Sequence, residues 1–228
     1  LFAPSLRVPD VTIAGSHCTG LDALVSRLRE RGFQARILAL GSLGGLAALK
    51  RGECDLAPIH LLHEDGRYNR GYLSEGLELV EGWRRLQGVV FRPGDARFEG
   101  RAAQDAVAAA VADPDCVMVN RNPGAGTRIL LDGLLAGARP DGWWNQPKSH
   151  NAVAAAVAQG RADWGLAIAP VAQAYGLGFL PLRDEHYDFA VASAGKARPA
   201  VAAFLDMLHD HALHEDRSAL GVTAAPRA

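Results

Sequence analysis

The residues of this chain best able to do chemistry are hydroxyls, imidazoles and a guanidinium placed in turns after short apolar runs. The densest such stretch is Asn120-Arg121-Asn122-Pro123-Gly124-Ala125-Gly126-Thr127-Arg128. The run Cys116-Val117-Met118-Val119 before it reads as a short buried strand, and Ile129 to Leu135 after it carries leucines at helical spacing. The nonapeptide is therefore a strand-to-helix turn, since Pro123 and the two glycines fit neither element. Backbone N–H groups at a helix start, with the Thr127 hydroxyl and Arg128 guanidinium beside them, make a cradle for an anion. The same pattern fits a purely structural turn with Thr127 as N-cap. Four further candidate positions have the same two readings, as ligand donor or as turn and capping residue. Ser16 and His17 close a first strand, Ser42 opens a glycine turn, His60 ends a third strand, and His150 and Asn151 precede a helix. Tyr187 lies on a late strand and is a further candidate.

Other chemistries fit less well. His60-x-x-His63-Glu64-Asp65 falls in a loop with no second ligand cluster at a familiar spacing, so no metal is expected. Cys18 beside His17 has no orienting acid in a recognisable motif, so no catalytic nucleophile is expected. Gly124-Ala125-Gly126 has neither dinucleotide-fingerprint spacing nor the lysine of a P-loop, and no cofactor is expected. His209, His211 and His214 do not share one helical face, and Trp143-Trp144 reads as packing.

The elements that must hold these residues alternate between strand and helix. Residues 7–14 and 35–40 read as strands. Leu21, Leu24, Val25 and Leu28 mark a first helix, and Leu46 to Arg51 a short second one. Asp55 to His60, Leu79 to Trp83, Gln87 to Phe91, Asp163 to Ile168, Gly178 to Leu182 and Tyr187 to Ala192 read as further strands. Ala102 to Ala112, Ala152 to Val157, Val171 to Tyr175 and Ala200 to His209 read as helices, and the tail from Arg217 as loosely ordered. This alternation predicts an α/β fold with right-handed crossovers. Gly52-Glu53-Cys54-Asp55-Leu56-Ala57 and Gly160-Arg161-Ala162-Asp163-Trp164-Gly165 share one design, which suggests two lobes built on one plan.

A chain of 228 residues accommodates one large domain or two small lobes. A formal net charge of −1 argues against direct nucleic-acid binding by this segment. No apolar run approaches the roughly 20 residues of a membrane span. The start, Leu1-Phe2-Ala3-Pro4, has no charged region followed by an apolar one, so a cytoplasmic location is expected, or a periplasmic one if a leader has been removed. Cys18, Cys54 and Cys116 read as free thiols rather than a disulfide framework.

Taken in order, Ala14-Gly15-Ser16-His17, Gly41-Ser42-Leu43-Gly44-Gly45-Leu46, Ile59-His60-Leu61-Leu62 and the turn from Asn120 to Arg128 give the chain its family likeness. The Ala152–Gly165 segment and Tyr187-Asp188 add to it. Over residues 7–193 the chain resembles the two-lobed, type II periplasmic-binding-protein superfamily. More narrowly, it is similar to the PBP-like domain that accompanies winged-helix regulators and molybdopterin-biosynthesis domains. The resemblance implies two α/β lobes joined by two crossing strands, with a ligand in the cleft. Lobe one would hold residues 1–87 and 188–228. Lobe two would hold residues 88–187, with crossings at Gly88–Arg92 and around Tyr187. It implies a small anionic ligand of the molybdate or tungstate kind, met by Ser16, His17, Ser42, His60, Thr127, Arg128, His150, Asn151 and Tyr187. It also implies a sensor whose DNA-binding domain lies outside this chain. The alternatives are the solute-binding subunit of an ABC importer or a domain in molybdenum-cofactor metabolism.

Overall fold

The computed structural model describes residues 8–209 and 223–224. The chain folds as a curled mixed sheet of order β2-β1-β3-β7-β4-β6-β5 with helices on its faces. The first half is β1 (Val11–Gly15), α1 (Thr19–Glu30), β2 (Ala35–Ala39), α2 (Gly41–Lys50) and β3 (Leu56–Ile59). β1 pairs in parallel with β2 and β3, as βαβ crossovers require. The second half is α3 (Ala103–Ala112), β5 (Met118–Val119), α4 (Gly126–Leu135), α5 (His150–Ala158), β6 (Trp164–Ile168) and α6 (Ala169–Ala174), with β5 parallel to β6. α7 (Pro199–His209) packs back against α1, and β8 (Thr223–Ala224) pairs with β4 at Trp83 and Arg84.

Two long antiparallel strands join the halves. β4 (Leu77–Phe91) and β7 (Gly178–Ala192) pair from Leu77–Ala192 at one end to Phe91–Gly178 at the other. At the first end β7 also pairs with β3, and at the other β4 also pairs with β6. The result is a two-lobed type II periplasmic-binding-protein-like fold with two crossing strands. The expected lobe boundaries at 87/88 and 187/188 both fall inside these strands. Each strand is continuous where the sequence predicts two with a polar break. Residues 84–86 and the polar stretch 183–186 fall between the predicted strands, yet Arg85 and Glu185 are buried and paired with each other across the strands. A charged residue that is neutralised inside the sheet does not interrupt it.

The other departures are smaller. α2 starts five residues before the predicted Leu46, because Gly45 lies where a Cβ would overlap the Ala14 carbonyl and Gly15. The glycine turn is thus the first turn of a helix packed close on β1. The two look-alike segments do the same work in both lobes. Gly52 and Gly160 follow the ends of α2 and α5 with φ of 72° and 71°. After each, an aspartate accepts a backbone N–H from a neighbouring segment: Asp55 from Thr12 on β1 at 2.7 Å, Asp163 from Val117 just before β5 at 2.8 Å. Each lobe has its own apolar core, one around Leu21, Leu24, Phe189 and Phe204, the other around Phe91, Phe98, Met118 and Trp164. All three cysteines are free and buried. The tail from Arg217, apart from β8, lies outside the described residues, as do His211 and His214.

Candidate functional site

The strand ends and helix starts of both lobes converge on a buried polar cluster beside the crossing strands. Ser16 follows β1, and its Oγ lies 2.8 Å from Nε2 of His60, which follows β3. His60 Nδ1 lies 2.7 Å from Glu185 Oε2 on β7. The ionised carboxylate only accepts, so Nδ1 carries the proton, and neutral His60 takes the Ser16 O–H at Nε2. Glu185 is also ion-paired with Arg85 and accepts from Gln87 Nε2, both on β4. Burial pushes the Glu185 carboxyl up, but Arg85 and then His60 hold it below the usual range. Tyr187 donates its hydroxyl to the Ser16 carbonyl, and its ring lies under the Arg85 guanidinium, 4.3 Å from the centroid. Ser42 Oγ accepts the His60 N–H at 3.2 Å.

Lobe two supplies groups that are left without partners. Asn120 pins the turn after β5, its Oδ1 accepting the Arg121 N–H at 2.8 Å and its Nδ2 donating to the Trp143 carbonyl at 3.2 Å. This holds Arg121 inside, 5% exposed, with one bond from Nη2 to the Lys148 carbonyl at 3.2 Å and none from Nε or Nη1. Burial, reinforced by the charge of Arg85, lowers its pKa to about 10. At the start of α4 a Cβ on Gly126 would overlap the His60 carbonyl oxygen, so that helix end rests directly on lobe one. The N-cap of α4 is Ala125. Thr127 is fully buried and its Oγ1 has no partner, so the capping reading of Thr127 fails. Likewise α5 is capped by Ser149, whose Oγ accepts the Ala152 N–H at 3.1 Å, while His150 is 5% exposed and neither ring nitrogen is hydrogen-bonded. Burial, then Arg121, Arg85 and His60, hold His150 well below the ordinary histidine value.

Of the nine expected ligand residues, the cluster brings together Ser16, Ser42, His60, Thr127, His150 and Tyr187. Ser42 and Tyr187 are committed to holding His60 and Ser16. His17 is exposed and pairs with Asp22 at 2.9 Å. Asn151 is exposed, and with His17 it borders a cavity of about 20 Å³ next to His150. Arg128 does not reach the cluster. Its Nε bonds Asp132 at 2.7 Å, Nη1 bonds the Arg121 carbonyl at 3.0 Å, and its guanidinium lies 4.6 Å from the Trp143 ring centroid. It supports the turn that carries Arg121.

The sequence reading missed Arg85, Glu185 and Arg121. The first two fall between predicted strands, and Arg121 is part of the central turn without a ligand role in the sequence pattern. The available signal was that an arginine and a glutamate each sat between two strand-like runs. A cavity of about 580 Å³ lies elsewhere, between β4 and α7, and is lined by Arg70, Leu79, Glu81, Lys196 and Asp206. Its mixed charges and open shape do not select a ligand. Among the described residues no group of three or more metal-ligating side chains assembles, and no helix is long and apolar enough to cross a membrane.

Chemically, the cluster sets two guanidiniums against one carboxylate and leaves several buried donors free. Residues 25–209 match a family model described as the PBP superfamily domain. The uncharacterized protein YvgK of Bacillus subtilis strain 168 is 32% identical over 196 residues, which cover 80% of this chain and 61% of YvgK. The chain thus spans about three fifths of that relative. Among solved structures, the tungstate-binding protein TupA from Desulfovibrio alaskensis G20 aligns with TM-score 0.65 and 15% identity, over 96% of this chain and 100% of TupA. An ABC-type phosphate transport receptor from Vibrio cholerae aligns with TM-score 0.65 and 13% identity, over 94% and 100%. A LysR substrate-binding domain from Wolinella succinogenes aligns with TM-score 0.59 and 14% identity, over 92% and 99%.

Proposed function

The chain belongs to the PBP superfamily, and from that premise we propose that it binds a small anion between its lobes without turning it over. A tetrahedral oxyanion of the molybdate or tungstate kind fits best. The observation that carries this reading is the surplus of buried, unpartnered donors: Arg121 Nε and Nη1, Arg85 Nε and Nη1, and the Thr127 hydroxyl, beside the bare imidazole of His150. A buried donor without a partner costs on the order of 1–3 kcal/mol, and more when charged. An anion accepting from several of them recovers that cost, and hydrogen bonds to a charged group contribute about 1.5–3 kcal/mol each. Because the free donors come from lobe two and from the crossing strand β4, a bound anion ties lobe two to that strand and favours the shut arrangement, and closure is the signal.

The role we assign is the sensor part of a transcriptional regulator in the cytoplasm, with its DNA-binding part outside this chain. A second reading, the solute-binding subunit of an oxyanion importer, draws support from the likeness to a tungstate-binding protein and a phosphate transport receptor. The test common to both is a thermal-shift titration with molybdate, tungstate, sulfate, phosphate, formate and short carboxylates. A ligand that binds only the folded state adds about 2.7 kcal/mol at a hundredfold excess over its Kd. The expected result is a large shift with molybdate or tungstate that is lost in Arg121→Gln and Thr127→Val. A shift with carboxylates alone discards the metal-oxyanion ligand, and no shift with any anion discards the anion reading.

A further inference from the structure

The charges around the cluster do not add up to a fixed complement for a dianion. Arg85 and Arg121 carry two positive charges, Glu185 one negative, and His60 is held neutral between Ser16 and Glu185. The sum is one positive charge. A monoanion balances it, whereas a dianion leaves one negative charge buried, which is strongly unfavourable in a site this deeply buried. One group can supply the missing charge. His60 has both ring nitrogens engaged, Nδ1 on Glu185 and Nε2 on Ser16. Both ring nitrogens of His150 are buried and free.

We propose that His150 matches the site to the charge of its ligand: a dianion is bound together with one proton taken up by His150, and a monoanion is bound with none. This rests on the anion-binding reading above. Protonation turns both His150 nitrogens into donors, so the same event adds charge and hydrogen bonds. The groups that act on it come from every side. Arg121 follows β5 and Arg85 lies on β4, and both repel a proton on His150 while the site has no anion; His60, which follows β3, is neutral there and adds no charge. Glu185 on β7 is spent on Arg85 and His60. His17 and Cys18 from the turn after β1 border the small cavity at its ring. β6 and α6, which pack against α5, bring no charged side chain. A bound dianion outweighs the repulsion and draws the proton in.

Tungstate and perrhenate make the test, since both are tetrahedral oxyanions of one size and differ by one charge. Calorimetric titrations of the chain between pH 7 and 8.5, in buffers of different ionisation enthalpy, read the protons taken up per anion bound. The expected result is about one proton for tungstate and none for perrhenate, with tungstate Kd weakening about tenfold per pH unit and perrhenate Kd flat. In His150→Gln the uptake disappears and tungstate weakens more than perrhenate does. Tungstate binding without proton uptake in the unaltered chain overturns the proposal and leaves the anion site standing. Uptake that persists in His150→Gln also overturns it, and that of perrhenate equal to that of tungstate does the same. If neither anion binds, the metal-oxyanion reading falls and the proposal with it. The titrations of the unaltered chain decide the matter even if His150→Gln does not fold.

Discussion

Burial holds the imidazoles of His60 and His150 below the ordinary histidine value, His60 in spite of the Glu185 carboxylate beside it. In the unfolded chain both titrate near 6.5. Between the folded and unfolded values the unfolded chain binds more protons, so stability rises with pH there. Their contribution is complete above about pH 6.5 and is lost as pH falls below it, by up to about 1.4 kcal/mol per pH unit for each imidazole. The urea midpoint is therefore expected to be level between pH 8 and 7 and to fall between 6.5 and 5. Glu185, held low, acts with the same sign only at lower pH, and Asp188, pushed up by burial, acts with the opposite sign. Comparison with His150→Gln isolates one imidazole: its midpoint is expected to fall less steeply, and an unchanged slope would show that His150 is not held neutral by the fold. A second residue-scale question is Ser16–His60–Glu185, whose contacts follow the order of nucleophile, base and orienting acid. The electrostatics oppose that use. An imidazolium at His60 would form near Arg85 and Arg121, and the charge of Glu185 is already met by Arg85. Ser16 is expected to remain unlabelled by a fluorophosphonate probe. Stoichiometric labelling that is lost in Ser16→Ala would move the chain to the hydrolases.

At the scale of elements, two helices rest on glycine with different consequences. Gly45 lets α2 lie against β1 within lobe one, and Gly126 lets the start of α4 lie against His60 across the cleft. Overpacking typically costs about 1–3 kcal/mol. Gly45→Ala is expected to take that cost as a lower Tm, because the fold of one lobe must yield. Gly126→Ala is expected to take it as anion affinity, weakened roughly 5- to 150-fold with Tm of the anion-free chain little changed, because the lobes can part instead. A Tm drop equal in both variants would mean that the lobes do not separate. This difference explains what the sequence made legible. The alternation of strands and helices, the paired lobe plan and the turns at Ser16, His60, Thr127 and His150 follow from local pattern, and local pattern places strand ends. It did not place Arg85 and Glu185, because their burial depends on a partner about a hundred residues away, and each alone is a charged residue between two strand patterns. Nor did it tell Arg128 from Arg121: both are arginines in one turn, and the choice was made by Asp132 and Trp143 holding the former and Asn120 turning the latter inward.

At the scale of the molecule, the described arrangement is a shut one. The Leu43 N–H donates to the Gly124 carbonyl at 3.3 Å across the cleft, and Gly126 sits on His60. Arg121, Thr127 and His150 are at most 5% exposed, so an anion cannot reach them from solvent while the lobes stay together. What joins the lobes is the β4–β7 pair, whose register shifts between Val80 and Trp83 and again at Gln87 to Gly88. Such irregularities in a two-stranded connection are where a hinge can take up a change in backbone angle. Without anion, the unpaired Arg121 guanidinium is repelled by Arg85, which Glu185 only neutralises in part, and this favours separation; with anion the two guanidiniums are bridged. Small-angle scattering of the anion-free chain is therefore expected to give a radius of gyration larger than that of the shut form, falling on addition of saturating tungstate. Arg121→Gln removes the bridge and one of the repelling charges, so its radius should no longer respond to tungstate. A radius that matches the shut form with and without tungstate, in a chain that binds tungstate, would show that the cleft admits its ligand without hinge motion and that closure is not the signal.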